Sequence, residues 1–126
     1  MRTTMDVWTY REGIIAPDVA PRNFVGYGVE AQDGSIGKVD DGTYEVGSSY
    51  LVVDTGPWIF GKKVMLPAGV VTSVDHDDEK IFVDRTKEQI KNAPEFDESL
   101  LVDEQYRGRL GNYYGPGGAG YPGDQI

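Results

Sequence analysis

The sequence predicts a mainly β chain, a small barrel or sandwich followed by one or two short helices. Three observations predict it. Between residues 23 and 84, short apolar runs alternate with turn dipeptides such as Asp33-Gly34 and Asp41-Gly42, the pattern of several short strands. The run Tyr50-Leu51-Val52-Val53-Asp54 is rich in β-branched side chains, which suit a pleated and packed surface. Helical signals begin at Thr86, after the last of these runs.

The elements follow in order. Residues 1–22 form an arm in which Trp8, Tyr10, Ile14 and Ile15 are apolar, while Pro17 and Pro21 prevent a long regular element. The arm either lies on the body and covers an open end, or stays free to dock a partner. Residues 24–31 are expected as the first strand, closed by the Asp33-Gly34 hairpin signal. Residues 36–40 follow, ended by Asp41-Gly42, then a short extension over 44–46. Tyr50–Asp54 is the clearest core strand. Thr55-Gly56-Pro57 breaks it, and residues 58–60 and 62–66 read as a returning hairpin. Residues 70–74 and 80–84 are the last two strands, joined by the polar turn 76–79. Thr86-Lys87-Glu88-Gln89 has capping-box spacing, so a short helix runs from Lys87 to near Asn92 and stops before Pro94. A second helix is expected over 103–114. Asp103 and Glu104 at its start suit the helix dipole, while Gly108 and Gly111 weaken it. Residues 115–126 are rich in Gly and Pro and read as a tail.

The 126 residues have room for one domain. The expected division is an arm over 1–22, a barrel over 23–97, a helical extension over 98–114 and a tail over 115–126. No cysteine is present, which excludes disulfides, thiolate nucleophiles and Cys-based metal sites. Lys and Arg number 12 against 21 Asp and Glu, a net charge of -9. Phosphate backbones and anionic membrane surfaces repel such a chain, so neither nucleic acid nor direct membrane insertion is expected. The first residues lack the apolar region of a signal peptide, and a cytoplasmic location is the expectation.

The strand order and its punctuation resemble the PRC-barrel family. Four segments carry the likeness: Asp33-Gly34-Ser35-Ile36-Gly37-Lys38-Val39-Asp40, Tyr50-Leu51-Val52-Val53-Asp54, Lys63-Val64-Met65-Leu66-Pro67-Ala68 and Lys80-Ile81-Phe82-Val83-Asp84. The stretch from Thr86 to Pro94 is similar to the ending of bacterial, often actinobacterial, stand-alone or stress-associated members. The segment from Tyr106 to Tyr114 resembles their C-terminal extension. The resemblance covers residues 24–97 and implies a closed, six-stranded PRC-type barrel. Relatives implied by it include the cytoplasmic domain of the photosynthetic reaction-centre H subunit and the C-terminal barrel of ribosome maturation factors. In both settings the module docks onto a protein assembly and performs no bond chemistry. This sequence lacks the membrane helix of the former and the extra N-terminal barrel of the latter. By position, the resemblance implies structural roles for Gly34 and Gly37 at the first hairpin and for Pro67 at a strand end.

No set of residues carries catalysis by pattern. The single histidine, His76, lies in Asp75-His76-Asp77-Asp78-Glu79. A turn of consecutive side chains splays its ligands, so a solvated turn is the expectation and a cation site the alternative. Ser35, Ser48, Ser49 and Ser73 lack a G-x-S-x-G elbow. Gly26-Tyr27-Gly28-Val29-Glu30-Ala31 matches a dinucleotide fingerprint by letter, but a turn rather than a helix follows it. Asp33, Asp40, Asp41, Glu45 and Asp54 sit near strand ends, where carboxylates favour turns. No catalytic residue, cofactor or metal is therefore expected, and the chain is read as not an enzyme.

Trp58-Ile59-Phe60 is the most informative local feature. Neighbours on a strand alternate, so Trp58 and Phe60 share either the core side or an outer aromatic patch of the kind enriched at interfaces. Tyr106, Leu110 and Tyr113 have helical spacing, a face laid on the barrel or on a partner. The expected partner-binding set is Trp58, Phe60, Trp8, Tyr10, Tyr106 and Tyr113. The expected function is a non-catalytic interaction or assembly module, self-associating as a homodimer, with an unidentified protein partner. The alternatives are a small-ligand or cation-binding module, and an accessory component of a photosynthetic or membrane-associated complex.

Overall fold

The structure is a computed structural model. It describes residues 7, 8, 10, 11, 14, 24–42, 49–56, 62–100, 103–115 and 118. Six strands form one mixed sheet: β1 Gly28–Ala31, β2 Gly34–Gly42, β3 Tyr50–Asp54, β4 Lys63–Pro67, β5 Val71–Asp75 and β6 Lys80–Val83. Two α-helices follow, α1 Lys87–Lys91 and α2 Glu104–Tyr114. The expected elements at 44–46 and 58–60 lie outside the described residues. So do Trp58 and Phe60 themselves, and nearly all of the tail.

The strand order is β4-β3-β2-β1-β6-β5. All neighbours are antiparallel except β1 and β6, which pair in parallel. The sheet is barrel-like, but among the described residues no ladder joins its two edges, so the expected full closure is not reached. The edges meet at a corner instead. β4 and β5 are consecutive, linked by a 3₁₀ turn, Ala68–Val70. Three residues at about 2 Å each leave the edges no room to part there.

Two strands are longer or shorter than their sequence signals. β2 continues through Asp41-Gly42, the expected stop. A register shift between Val39 and Asp41 leaves Asp40 as a bulge, and Asp41 and Gly42 pair with Val52 and Leu51 as a continuation of the strand. β1 begins at Gly28, because residues 24–27 turn, with Gly26 at φ 91°. Gly37 is required by close approach: at φ 145°, a Cβ there would lie 2.0 Å from the Asp54 carbonyl oxygen.

Burial follows the pleat. Val29 and Ala31, and Ile81 and Val83, turn inward by alternation, whereas Ile36 and Val39, three apart on β2, are both buried because a register shift against Val29 and Glu30 takes up one residue. Glu30, Lys38, Lys80 and Phe82 are the outward members of these strands. β3 and β4 depart from alternation: Leu51, Val52 and Val53 are all buried, as are Met65, Leu66 and Pro67. Consecutive burial requires cover on both faces. Val52 pairs with Met65, and Met65 shares a cleft with Ile90 and Phe96 from α1 and the chain after it. The helices are therefore a second layer over β3 and β4. Buried Tyr106, Leu110 and Tyr114 recur every four residues along α2, the stripe such a layer needs.

One carboxylate joins the arm, the corner and the helix end. Asp84 Oδ2 accepts from Arg11 Nη2 at 2.6 Å, and Asp84 Oδ1 accepts from Arg85 Nη1. Arg11 Nε also donates to the Gly69 carbonyl at 2.8 Å in the 3₁₀ turn. Arg85, 3% exposed, donates from Nη2 to the carbonyl of Tyr114 at 2.8 Å. Burial pulls the Arg85 guanidinium down from its ordinary pKa, and the charge of Asp84 opposes that shift. The arm is tied further by the Gly69 amide to Val7 and the Ser49 amide to Trp8. Tyr10 and Ile14 are buried. The described residues of the arm thus cover the body.

Two outcomes follow from this packing. Asp84→Asn leaves a buried guanidinium without its counter-charge and should cost about 3 kcal/mol, read by urea denaturation; a loss under about 1 kcal/mol, the range of a surface pair, would refute it. Gly108 has open space where a Cβ would go, whereas a Cβ on Gly111 would lie 2.7 Å from the Trp8 indole nitrogen. Gly108→Ala should therefore stabilise by about 0.5–1 kcal/mol, and Gly111→Ala should destabilise by about 1–3 kcal/mol. Equal effects in the same assay would disprove this reading of α2.

Candidate functional site

The candidate site lies where the helical layer meets the edge of the sheet. Its first wall is the start of β4, with Lys62, Lys63, Val64 and Met65. Its second wall is the end of α1 and the chain after it, with Ile90, Lys91, Ala93, Pro94, Glu95 and Phe96. Together they bound a cleft of about 150 Å³.

Local sequence fixes the second wall at several points. The Gln89 amide donates to the Thr86 hydroxyl at 3.1 Å, and the Thr86 amide donates to Gln89 Oε1 at 2.8 Å. This is the capping box that the sequence announced. Asp33, in the β1–β2 loop, also accepts the Lys87 amide at 2.8 Å. Two tyrosines of α2 hold the far end. The Tyr113 hydroxyl donates to the Gln89 carbonyl at 2.6 Å, and the Tyr106 hydroxyl donates to the Pro94 carbonyl at 3.1 Å. The Phe96 and Tyr106 rings lie 5.9 Å apart. The floor is thus apolar and positioned from four directions.

Its rim is charged. Lys63 donates to Asp40 at 2.9 Å, an interaction across the sheet. Lys62 stands 3.7 Å from Glu95, whose side chain is 85% exposed. Lys91 is exposed at the end of α1. Three lysines therefore line one cleft in a chain of net charge -9.

The expected partner-binding residues are differently placed. Tyr106 is 1% exposed and Tyr10 is 7% exposed, so both belong to the core of this chain and present no surface. The helical spacing of Tyr106, Leu110 and Tyr113 is the face that α2 lays on its own sheet. Tyr113 is half-buried. Trp8 is half-buried beside α2 with the Arg107 guanidinium 4.7 Å from its ring, and Arg107 lies 5.3 Å from the Tyr50 ring as well. Trp58 and Phe60 lie outside the described residues.

His76 occupies the β5–β6 turn, as expected. Asp75 Oδ1 accepts the amides of Asp77 and Asp78 at 3.0 Å each, which shapes the turn. His76 Nδ1 is 2.9 Å from the Tyr27 hydroxyl, and its ring stands near Phe24 and Tyr27. Sequence reading missed this pair. The only signal available was an aromatic at the start of β1 and a histidine about fifty residues later. Among the described residues, no group of three or more His, Asp or Glu side chains is placed to hold a metal ion. No helix among them is long and apolar enough to cross a membrane.

Part of the chain is similar to a solved structure, the 16S ribosomal RNA processing protein RimM of Pseudomonas aeruginosa. The likeness has 22% sequence identity and a TM-score of 0.46. It covers 55% of this chain and 44% of that protein, less than half its length. No family model and no curated protein matches the chain.

Burial raises the pKa of Tyr10, Tyr106 and Tyr114 above the ordinary phenol value. A raised folded-state pKa contributes stability that is complete below the unfolded value of about 10 and is lost above it, where only the unfolded chain ionises. Melting temperature should therefore hold to about pH 10 and fall beyond it. Phenolate absorbance from these three should appear together with loss of the far-ultraviolet dichroism. Titration of all eight tyrosines before unfolding would contradict the assignment.

Proposed function

We propose that this chain is a non-catalytic interaction module of the PRC-barrel type, and that the cleft between β4 and α1 is where it holds another protein. The observation that carries the reading is the cleft itself: half-buried Val64, Ala93 and Pro94 open at the surface over a buried floor of Met65, Ile90 and Phe96, in a chain whose other described aromatics mostly pack inward. Apolar surface that reaches water at a concave, pre-formed position favours a partner that removes it from water. The size of the cleft speaks against a substrate site. Sites for small molecules and cofactors run to roughly 300–1,000 Å³, and this one is about half the lower bound.

The ordered PRC-like segments support the module reading, since β3, β4 and β6 each fall within one of them and β2 begins within another. The cytoplasm is the compartment proposed. A second copy of the chain is one partner in view. Among the described residues β5 pairs only with β6, and Phe82 beside it is 38% exposed. Such an edge invites another strand.

Affinity capture from a lysate of its own source cell, quantified by mass spectrometry, tests the reading. Ala93→Phe places a ring in the cleft and should reduce enrichment of the principal partner by about tenfold, which is about 1.4 kcal/mol of binding, while the melting temperature stays within a few degrees. A wild-type chain that enriches no polypeptide, and runs as a monomer by light scattering, overturns the proposal.

A further inference from the structure

We propose that the cleft takes an acidic segment of a partner polypeptide bearing one large apolar side chain. The inference rests on the interaction-module reading and adds the chemistry of the partner.

Volume sets the apolar part. A cavity of about 150 Å³ lined by aliphatic and aromatic groups holds one benzene-sized body. The cleft has that volume, with Met65, Ile90 and Phe96 on its floor. One Phe, Leu or Met side chain fills it, and a helix or a strand with several anchors does not.

Charge sets the flanks. Lys62, Lys63 and Lys91 come from two elements about thirty residues apart and converge on one rim. Among the described residues the one carboxylate in the lining is Glu95. Its pair with Lys62 is long and exposed, and exposed pairs contribute at most about 1 kcal/mol. Glu95 therefore yields to an incoming carboxylate at little cost. Lys63 is held towards Asp40, which leaves Lys62 and Lys91 as the pair that meets the partner.

The rest of the molecule sets the length. A net charge of -9 repels an extended polyanion. Screening confines each interaction to about 8 Å at physiological salt. A short acidic segment meets the lysine rim within that length. A long phosphate backbone extends past it.

Fluorescence anisotropy on the full chain tests this. The probe is a labelled nine-residue peptide with one central Phe between Asp and Glu residues. Comparison ligands are the same peptide with Phe replaced by Ala, one with Lys flanks, and a nine-nucleotide single-stranded RNA. The acidic Phe peptide should bind, and loss of its Phe should weaken it about tenfold. Lys62→Glu combined with Lys91→Glu should weaken it about tenfold as well, with unchanged melting temperature. Higher salt should weaken it further. No binding by the acidic peptide, equal binding by the Lys-flanked peptide or the RNA, or an unaffected charge-reversed variant each overturns the inference. If any of these occurs while wild-type capture still enriches a partner, the interaction reading stands and the acidic segment alone is lost.

Discussion

The architecture depends on a single carboxylate at the end of β6. Asp84 holds two guanidinium groups, one from the arm and one from its own neighbour. Each guanidinium then reaches a carbonyl in a different element, Gly69 in the 3₁₀ turn and Tyr114 at the end of α2. Arg85 is the buried member of the set, so removing the Asp84 charge leaves its guanidinium desolvated and without a counter-charge. The corner where the sheet edges meet, the covering arm and the helical layer are thereby fixed to one another by side chains and not by a strand ladder.

That arrangement explains the placing of the aromatics. In a chain this small, much of the cover over β3 and β4 comes from residues outside the sheet, and α2 provides it with Tyr106, Leu110 and Tyr114. Tyrosine suits the task because its ring fills the layer while its hydroxyl satisfies a carbonyl. Tyr106 and Tyr113 do this for Pro94 and Gln89, two carbonyls in the segment that walls the cleft. One wall of the cleft is accordingly held by the same bonds that tie α2 to α1 and the chain after it.

Much of the fold was legible because it rests on local chemistry. The Thr86 capping box, the acidic start of α2 at Asp103 and Glu104, the β-branched run at β3 and the hairpin signal at Asp33-Gly34 each act within a few residues, and each is found in the structure. Asp41-Gly42 misled because the ladder with β3 resumes after a bulge at Asp40 and pairs both residues. Gly111 was read as a weakness of α2, whereas its missing side chain admits the Trp8 ring about a hundred residues away. The site was hardly legible. Lys62, Lys63 and Lys91 are unremarkable in sequence, and only the packing of α1 on β4 brings them together. The aromatic spacing of α2 was visible, but spacing alone does not say whether a face meets its own sheet or another molecule.

The parallel pairing of β1 with β6 has a consequence for how the molecule is made. Residues 28–30 must find residues 80–82, so about fifty residues close into a loop before that ladder forms, and such non-local contacts slow folding. During vectorial synthesis the hairpins from β1 to β4 can assemble as they emerge. β1 keeps one naked edge until the residues of β6 have left the ribosome. The nascent chain therefore passes through an interval in which its central strand is open to the wrong neighbour.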